Sequence, residues 1–224
     1  MPRTGRIAIV DVPHHITQRG NNRQDVFFVD DDRHVYLSIL KEQAEKYTLE
    51  ILGWCLMTNH IHIIASPKTP ESLAKALGRT HLSYTQYVNR MHNRSGHLWQ
   101  NRFFSCPLSR EHFWKALVYT EQNPVRARIV RRAWKYKWSS ASAHISGRDT
   151  TGLLNMSYWK KISSQIDWGK ALAEIQLEET IERIRINTHT GRPLASDSFI
   201  SKMEKVLNRR LRPLPVGRPK KRKK

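Results

Sequence analysis

The alternation of hydrophobic and polar residues predicts seven elements in the first 145 residues. A period of two predicts strands, and a period near 3.6 predicts amphipathic helices. On that basis we predict strands at residues 7–18, 49–55, 57–66 and 98–106, and helices at residues 33–47 and 70–91. This order is typical of a ferredoxin-like α+β fold, an antiparallel sheet with helices packed on it. A third helix is predicted at residues 111–122.

The pattern changes beyond residue 145, so we predict three regions: a main domain (1–145), a helical C-terminal extension (146–211) and a basic disordered tail (212–224). The extension has amphipathic patterns at residues 168–186 and 197–211, separated by a Gly-Arg-Pro breaker at residues 191–193 that we interpret as a turn. These helices either form a helix-turn-helix or pack back on the sheet. From residue 209 onward, nine basic residues without an acid favour disorder in the free protein.

Two histidines lie inside the apolar run of the third predicted strand. His60 and His62 are separated by one residue, so in a strand they point to the same face with Cα atoms about 6.5–7 Å apart. Ile61 and Ile63 point the other way and are expected to enter the core. Two imidazoles at this spacing can bind one metal ion and leave other coordination positions open. The alternative is a pair of hydrogen-bonded core histidines.

A chemical partner for such a metal is predicted on the helix near residue 119. Tyr119 and Asn123 are four residues apart on one helical face, so Asn123 could supply an oxygen ligand while the phenol faces the metal. A phenol attacks poorly at neutral pH unless a cation polarises the target phosphate. Three alternatives stay open. In the first, Tyr119 is a core residue. In the second, Asn123 caps a new helix over residues 124–134. In the third, Glu121 or Gln122 is the third ligand.

The composition indicates a polyanionic partner. The 224 residues include 39 Lys and Arg against 19 Asp and Glu, which gives a formal charge of +20 and a pI near 10.4. A soluble protein this basic usually binds nucleic acid. We expect no membrane span and no signal peptide, and therefore a cytoplasmic location. Cys55 and Cys106 are too few for a disulfide scaffold and are not spaced like a zinc site.

Candidate DNA contacts fall around the predicted sheet. The glycine-containing turn after the first strand carries Arg19, Asn21 and Arg23, which suit phosphate contacts unless the turn is merely solvated. Arg102 lies beside aromatic residues that either stack on unpaired bases or belong to the core. Arg126 follows the Tyr119 segment and could hold the DNA backbone.

The tail offers a further DNA contact. Arg218 and Lys220 belong to a basic Gly-Arg-Pro segment that resembles an AT-hook, which enters a narrow minor groove. Counterion release gives such a segment affinity for DNA without sequence specificity. We therefore expect the tail to hold duplex DNA while the main domain binds the adjacent single strand.

Four ordered segments resemble the single-tyrosine transposases, and more narrowly the REP-associated tyrosine transposases of bacteria within the HUH endonuclease superfamily. The segments are Thr17–Asn21, Cys55–His62, Leu98–Phe103 and Tyr119–Ala127. The resemblance covers roughly residues 6 to 144. Thr58 stands where the family commonly has proline, a departure that leaves both histidines unchanged.

The resemblance implies a ferredoxin-like fold, a Mg²⁺ or Mn²⁺ ion, and cleavage and rejoining of single-stranded DNA at hairpin-forming repeats. It also implies a covalent 5′-phosphotyrosine and a free 3′-OH, with Tyr119 as the nucleophile. The metal ligands that it implies are His60 and His62, with Asn123 as the third. The expected function is therefore a transposase, and the expected partner is hairpin-bearing single-stranded DNA.

Other functions stay open at this point. One is a non-catalytic regulatory or architectural protein that binds repeat DNA. Another is a replication or conjugation nickase, although such enzymes usually have longer chains, and a third is a metal-dependent hydrolase that uses water. The oligomeric state is also open, because related transposases exchange catalytic helices within a homodimer whereas the repeat-associated group is regarded as monomeric.

Overall fold

The computed structural model describes residues 6–213. Its strands are β1 (His14–Arg19), β2 (Leu49–Leu56), β3 (His60–Pro67) and β4 (Phe104–Pro107). Its helices are α1 (Asp30–Lys46), α2 (Ser72–Met91), α3 (Arg110–Glu121), α4 (Asn123–Arg126), α5 (Ala141–Ser146), α6 (Met156–Ile162), α7 (Trp168–Ala173), α8 (Glu178–Thr190) and α9 (Asp197–Leu207). Single 3₁₀ turns lie at Asn21–Arg23 and Ala133–Lys135.

The strands form one antiparallel sheet in the order β2–β3–β1–β4. With α1 and α2 as its connecting helices, this is the split βαβ arrangement, so the predicted ferredoxin-like α+β fold is confirmed. The register places Thr17 opposite His62 and Arg19 opposite His60. Because directly opposed residues of antiparallel strands share a face, these four side chains lie on the same side of the sheet.

The other side of the sheet is an apolar layer beneath α1 and α2. Ile16, Ile61 and Ile63 are fully buried there, together with Tyr36 of α1 and Tyr84 of α2. Burial of one such isoleucine side chain stabilises the fold by about 1.5–3 kcal/mol. The alternation of β3 therefore sends its isoleucines into the main core and its histidines to the opposite side, as the sequence predicts.

The side that bears His60 and His62, here called the histidine face, is covered by α3 and by the C-terminal extension. Ile64 of β3 and Leu117 of α3 belong to one hydrophobic cluster with Ile184 of α8. Helix α8 packs along β4 and β1. Of the two arrangements considered for the extension, the helices thus pack back on the sheet. The domain boundary at residue 145 stays a prediction.

The first strand is shorter than predicted. Three apolar residues that we expected to belong to it instead pack with α9 in a small separate cluster: Ile7, Ile9 and Val12. β1 begins only at His14. Two backbone features explain the late start, since Pro13 has no N–H for a ladder hydrogen bond and Asp11 adopts a positive φ of 58°.

The fourth strand also begins later than predicted, at Phe104 rather than at residue 98. Its predicted first half turns into the core, where Trp99 and Phe103 are buried. Stacking of these two aromatic rings on unpaired bases was one of two open interpretations, and the core interpretation is the one the structure supports.

Several helix predictions were wrong in length. The helix predicted at residues 124–134 ends at Arg126, because Arg128 adopts a left-handed conformation with φ of 58°. The single helix predicted at residues 168–186 is divided into α7 and α8, while α5 and α6 were not predicted at all. None of the described helices is long and apolar enough to cross a membrane. Arg218, Lys220 and the predicted tail disorder beyond residue 213 lie outside the described residues.

Candidate active site

Strand β3 places His60 and His62 side by side on the histidine face. Their ring centroids are 5.2 Å apart, and the two rings are nearly perpendicular at 81°. His62 is buried, whereas His60 is half-buried at the start of the strand. The predicted placement of the two imidazoles next to each other on one face is therefore present.

Asn59 fixes the orientation of the His60 ring. The Asn59 amide nitrogen donates to the Arg23 carbonyl oxygen at 3.0 Å, which turns the Asn59 Oδ1 toward His60 Nδ1 at 2.6 Å. An oxygen acceptor requires an N–H opposite it, so the Nδ1 of His60 carries the proton and Nε2 keeps its lone pair. The turn after β1 thus holds His60 in a form that can bind a metal.

A hydrogen-bonded series does the same for His62. The Thr188 hydroxyl donates to the Ile184 carbonyl at 2.7 Å, a far shorter contact than its 3.7 Å approach to the Cys106 sulfur. Its oxygen therefore accepts from His15 Nδ1–H at 2.7 Å. The other nitrogen of His15 then has only a lone pair, and it accepts from His62 Nδ1–H at 2.9 Å.

The result of this Thr188–His15–His62 series is a single tautomer at its last member. With the proton of His62 held on Nδ1, its Nε2 carries a lone pair. Both histidines of β3 thus reach the same state through different partners, one through a neighbouring amide and one through α8. Such outer hydrogen bonds commonly fix the tautomer and ring orientation of metal-binding histidines.

Burial keeps these imidazoles neutral. It lowers the pKa of His60 to about 4, assisted by the charge of Arg19 and opposed by the neighbouring Asn123 side chain. Burial likewise lowers the pKa of His62 well below its usual value, and it lowers the pKa of His15 to about 3. Metal ligation requires neutral imidazole, so near pH 7 no proton competes for the two Nε2 lone pairs.

Helix α3 brings Tyr119 over the histidine pair. The centroid of its ring lies 5.5 Å from that of His62 and 5.6 Å from that of His15. Arg126 places its guanidinium carbon 4.1 Å from the same ring centroid and donates to the Tyr119 carbonyl oxygen at 2.6 Å. Arg185 of α8 hydrogen-bonds to the Tyr119 side chain. Two cations therefore flank the phenol, where they can stabilise negative charge.

The pKa values of the two arginines reflect this neighbourhood. Burial lowers the pKa of Arg126, partly offset by Tyr119. Burial also acts to lower the pKa of Arg185, but Tyr119, Glu178 and Glu182 together outweigh that effect and the pKa is raised. Both side chains are cations near pH 7. The buried Nη1 of Arg126 has no hydrogen-bond partner within residues 6–213, so it is a donor available to an anion.

Asn123 stays on the same helical face as Tyr119 despite the proline that follows it. Gln122, between α3 and α4, keeps right-handed helical angles with φ of −80° and ψ of −2°, so the helical path continues. The Asn123 side chain lies close enough to the His60 ring to act on its pKa, which it raises. Its buried Nδ2 has no partner in the described part of the chain. Asn123 thus lies where an oxygen ligand beside the histidine pair is needed.

The two alternative ligands are engaged elsewhere. Glu121 is fully buried and accepts hydrogen bonds from Ser140 at 2.5 Å and Trp168 at 2.8 Å, with His144 Nδ1 at 2.6 Å. The Gln122 amide donates to two backbone carbonyls at residues 172 and 174. Neither side chain is therefore free to contribute to the histidine pair.

The residues present fit a divalent metal ion. Residues 6–213 contain no cluster of three or more His, Cys, Asp or Glu side chains suited to a metal. The candidate set consists instead of two imidazoles, His60 and His62, and the amide of Asn123. Imidazole nitrogen and amide oxygen are acceptable ligands for Mn²⁺, and open positions can be filled by water or phosphate oxygen. The fixed tautomers of His60 and His62, which leave Nε2 of each ring unprotonated, are the observations that support this fit.

The predicted DNA-contact residues divide into two groups. Arg19 lies opposite His60, while Asn21 and Arg23 lie in the turn that follows, so these three border the site together with Arg126. Arg102 is not part of this group and lines a neighbouring basic cavity at the β4 edge of the sheet.

Three site residues were missed by sequence reasoning: His15, Arg185 and Thr188. A signal for His15 exists, because positions 15, 17 and 19 alternate onto one face of β1 just as His60 and His62 do on β3. No comparable local signal marks Arg185 or Thr188, since α8 reaches the site only through tertiary packing.

The chain also matches a known protein family. The family model described as transposase IS200 like matches residues 8–123, which span the sheet and include the histidine pair, Tyr119 and Asn123. This match covers more than half of the chain. The protein belongs to the IS200-like transposase family, and the family resemblance predicted from the four sequence segments is confirmed.

Two solved structures are similar to this chain, and the first shows the same fold. One, described as a REP-associated tyrosine transposase bound to a REP hairpin, is 16% identical with a TM-score of 0.57, covering 70% of this chain and 90% of its own. A second, a putative transposase from Deinococcus radiodurans R1, is 20% identical over 57% of this chain and 92% of its own, with a TM-score of 0.38. No curated protein matches the chain.

Proposed function

We propose that this protein is a metal-dependent transposase that cleaves and rejoins single-stranded DNA at hairpin-forming repeats through a covalent 5′-phosphotyrosine. The observation that carries the proposal is the approach of Tyr119 to the histidine pair, with 5.5 Å between the ring centroids of Tyr119 and His62. Family membership supports the transposase class. The related structure bound to a REP hairpin supports hairpin DNA as the substrate.

In this proposal His60, His62 and Asn123 hold a Mg²⁺ or Mn²⁺ ion. When bound, the ion neutralises developing charge on the scissile phosphate and orients it. The chain contributes preorganisation, because Asn59 and the Thr188–His15–His62 series keep the proton of each ring on Nδ1 and leave each Nε2 with a lone pair.

Cleavage begins when the Tyr119 hydroxyl oxygen attacks the phosphorus atom and releases its proton to solvent. The bond from phosphorus to the 3′ oxygen breaks, and that oxygen takes up a proton to become a free 3′-OH. Arg126 and Arg185 beside the phenol stabilise the negative charge of this step. The phosphodiester on Tyr119 conserves the bond energy, so attack by a 3′-OH strand end restores DNA and frees the tyrosine.

The site is assembled within one polypeptide. Tyr119, His15 and His62 of the same chain have their rings 5.2–5.6 Å apart. Cleavage by this geometry therefore needs no exchange of α3 between two copies, whether the protein is a monomer or a homodimer.

The test is adduct formation on a hairpin-bearing single-stranded oligonucleotide. The label is placed on the 3′ side of the cleaved phosphate, on the fragment that becomes attached to Tyr119. The full-length protein is incubated with Mn²⁺ and separated by denaturing electrophoresis. We expect a labelled species that resists SDS, maps to Tyr119 by mass spectrometry, and is absent without divalent ions. Tyr119→Phe should abolish it, whereas Tyr158→Phe, on exposed α6, should leave it unchanged.

Each contrary result would indicate a different function or mechanism for this protein. Tight hairpin binding without any adduct or cleavage would identify a repeat-binding regulatory or architectural protein. Cleavage that releases product without covalent protein, and that survives Tyr119→Phe, would identify a hydrolase that uses water. An adduct that persists in Tyr119→Phe would refute the nucleophile assignment alone.

A further inference from the structure

A basic cleft lies beside the candidate active site, at the β4 edge of the sheet. Its volume is about 720 Å³. Six arginines line it, and no Asp or Glu within residues 6–213 does so; they are Arg6, Arg102, Arg192, Arg209, Arg210 and Arg212. Burial lowers the pKa of Arg6 to about 10, and the charge of the neighbouring Arg102 acts in the same direction. A surface of this kind attracts a polyanion.

Two of these arginines are well placed to bind phosphate. Arg212 is ion-paired with Glu204, and Arg210 donates to backbone carbonyls, so both have structural partners. Arg102 is exposed and Arg192 half-buried, and neither forms an ion pair with a carboxylate of the described residues. Guanidinium groups without carboxylate partners in a cleft are suited to phosphodiester oxygens.

The cleft also contains a stacked ring pair. Phe104 of β4 and His189 of α8 have ring centroids 4.8 Å apart and planes inclined by 24°. Phe104 is half-buried and His189 is exposed, so the pair is accessible to a ligand. Aromatic rings interleaved with arginines are the combination that binds unpaired bases and their backbone.

Strand register connects this ring pair to the histidine pair. His62 lies directly opposite Thr17, and Thr17 lies directly opposite Phe104, so the three side chains form a row across β3, β1 and β4. At the usual spacing of strands the row is about 10 Å long. That distance corresponds to roughly three nucleotides at a stacked rise of 3.4 Å. A strand whose phosphate lies at His62 can therefore reach the cleft.

We infer that this cleft binds the single-stranded DNA segment next to the cleaved phosphate, with its backbone on Arg102 and Arg192 and its bases against Phe104 and His189. The inference rests on the proposed function for the identity of the strand. A single strand suits the cleft better than a duplex does, because 720 Å³ is the size of a small-ligand pocket. Most of one wall, from His189 to Arg212, lies outside the residues matched by the family model.

Binding is tested by fluorescence anisotropy of a labelled single-stranded oligothymidylate with the full-length protein in EDTA, so that no cleavage occurs. The double variant Arg102→Ala/Arg192→Ala should weaken binding about tenfold or more and reduce the salt slope by about 1.4, the value for two lost phosphate contacts. His189→Ala should weaken it at least about fivefold through lost stacking. The matched control is Arg79→Ala/Arg90→Ala, which removes the same charge from exposed positions of α2.

The results separate failure of the cleft from failure of the proposed function. If the cleft double variant keeps the affinity and salt slope of the Arg79/Arg90 control, the inference is overturned, whether or not the hairpin substrate forms an adduct. If the cleft double variant loses affinity only for a duplex of the same length, the cleft binds duplex DNA and the inference is equally overturned. Loss of single-strand affinity supports it even where no adduct is seen, since that absence counts against the proposed function alone. Unchanged circular dichroism melting in the variants excludes misfolding as the cause.

Discussion

The two faces of one sheet show two different uses of the same strands. On the face beneath α1 and α2, Ile16, Ile61 and Ile63 are fully buried in the main hydrophobic core. On the histidine face, residues one position away along the same strands form hydrogen bonds whose donors and acceptors are all assigned, from Thr188 through His15 to His62. The first face is stabilised by how completely its side chains fill the core. The second is defined by which nitrogen of each histidine carries a proton.

This difference predicts how each face responds to substitution. A core position responds in proportion to the atoms removed, because packing and transfer energies are graded. A directed hydrogen-bond series responds to the loss of a single acceptor, because the tautomer of every later member is then no longer fixed. Neighbouring residues of β3 should therefore give separable effects on stability and on metal affinity.

The largest effect is expected from His62→Ala. The variant lacks one of the candidate metal ligands, so its affinity for Mn²⁺ should fall by more than about 100-fold, beyond the range seen for outer hydrogen-bond partners. Titration calorimetry, or electron paramagnetic resonance of free Mn²⁺, measures this directly without DNA. Retention of wild-type affinity would show that the histidine pair is not the metal site.

The next largest effect is expected from Thr188→Val, which has nearly the shape of threonine but no hydroxyl acceptor for His15 Nδ1–H. Mn²⁺ affinity should fall about 10- to 100-fold, and Thr188→Ser should restore it. Thr190→Val is the matched control, because Thr190 makes the same type of bond to the Ile186 carbonyl but is exposed. Equal affinities of the Thr188 and Thr190 valine variants would mean that the series does not orient His62.

A smaller, pH-dependent effect is expected from His81 of α2, on the apolar side. Burial lowers the pKa of His81 to about 3, below its usual 6.5, so the unfolded chain takes up a proton that the folded protein does not. Stability is therefore fully present above pH 6.5 and is lost as the pH falls toward 3. His81→Gln should make this loss shallower by up to about 1.4 kcal/mol per pH unit.

Urea unfolding at several pH values measures this effect. Above pH 6.5 both forms of residue 81 are neutral in both states, so the variant and the wild type should then show the same dependence on pH. Identical curves below pH 6.5 would contradict the burial of a neutral His81.

The smallest effect is expected from Ile63→Val, next to His62 on the opposite face. Removal of one buried methylene should lower the free energy of unfolding by about 1 kcal/mol. Mn²⁺ affinity should not change, because the side chain points into the main core. Comparable loss of metal affinity in this variant would show that the two faces are not independent.

Local patterns were sufficient for the parts of the site that lie on one element. The spacing of His60 and His62 predicted their shared face, because strand periodicity is a local property. The spacing of Tyr119 and Asn123 predicted theirs, although Pro124 argued for a helix break, because Gln122 keeps helical angles. The four-strand order followed from the sequence of elements.

Contacts between distant elements were not predictable in the same way. His15 and Thr188 are separated by 173 residues, and their contact depends on how α8 packs on β1. Arg192 was interpreted as part of a simple turn, because nothing in the sequence indicates that this turn faces Arg102 across a cleft. The late start of β1 and β4 had the same origin, since tertiary packing decided which apolar residues paired and which entered the core.

The dependence of His62 on α8 has a consequence for how the protein is made. A polypeptide leaving the ribosome contains the histidine pair and Tyr119 long before residue 188, the hydroxyl acceptor, has been synthesised. Under the proposed function, an unfinished or prematurely terminated chain that lacks α8 would cleave DNA weakly. Full activity would require the synthesis and packing of α8.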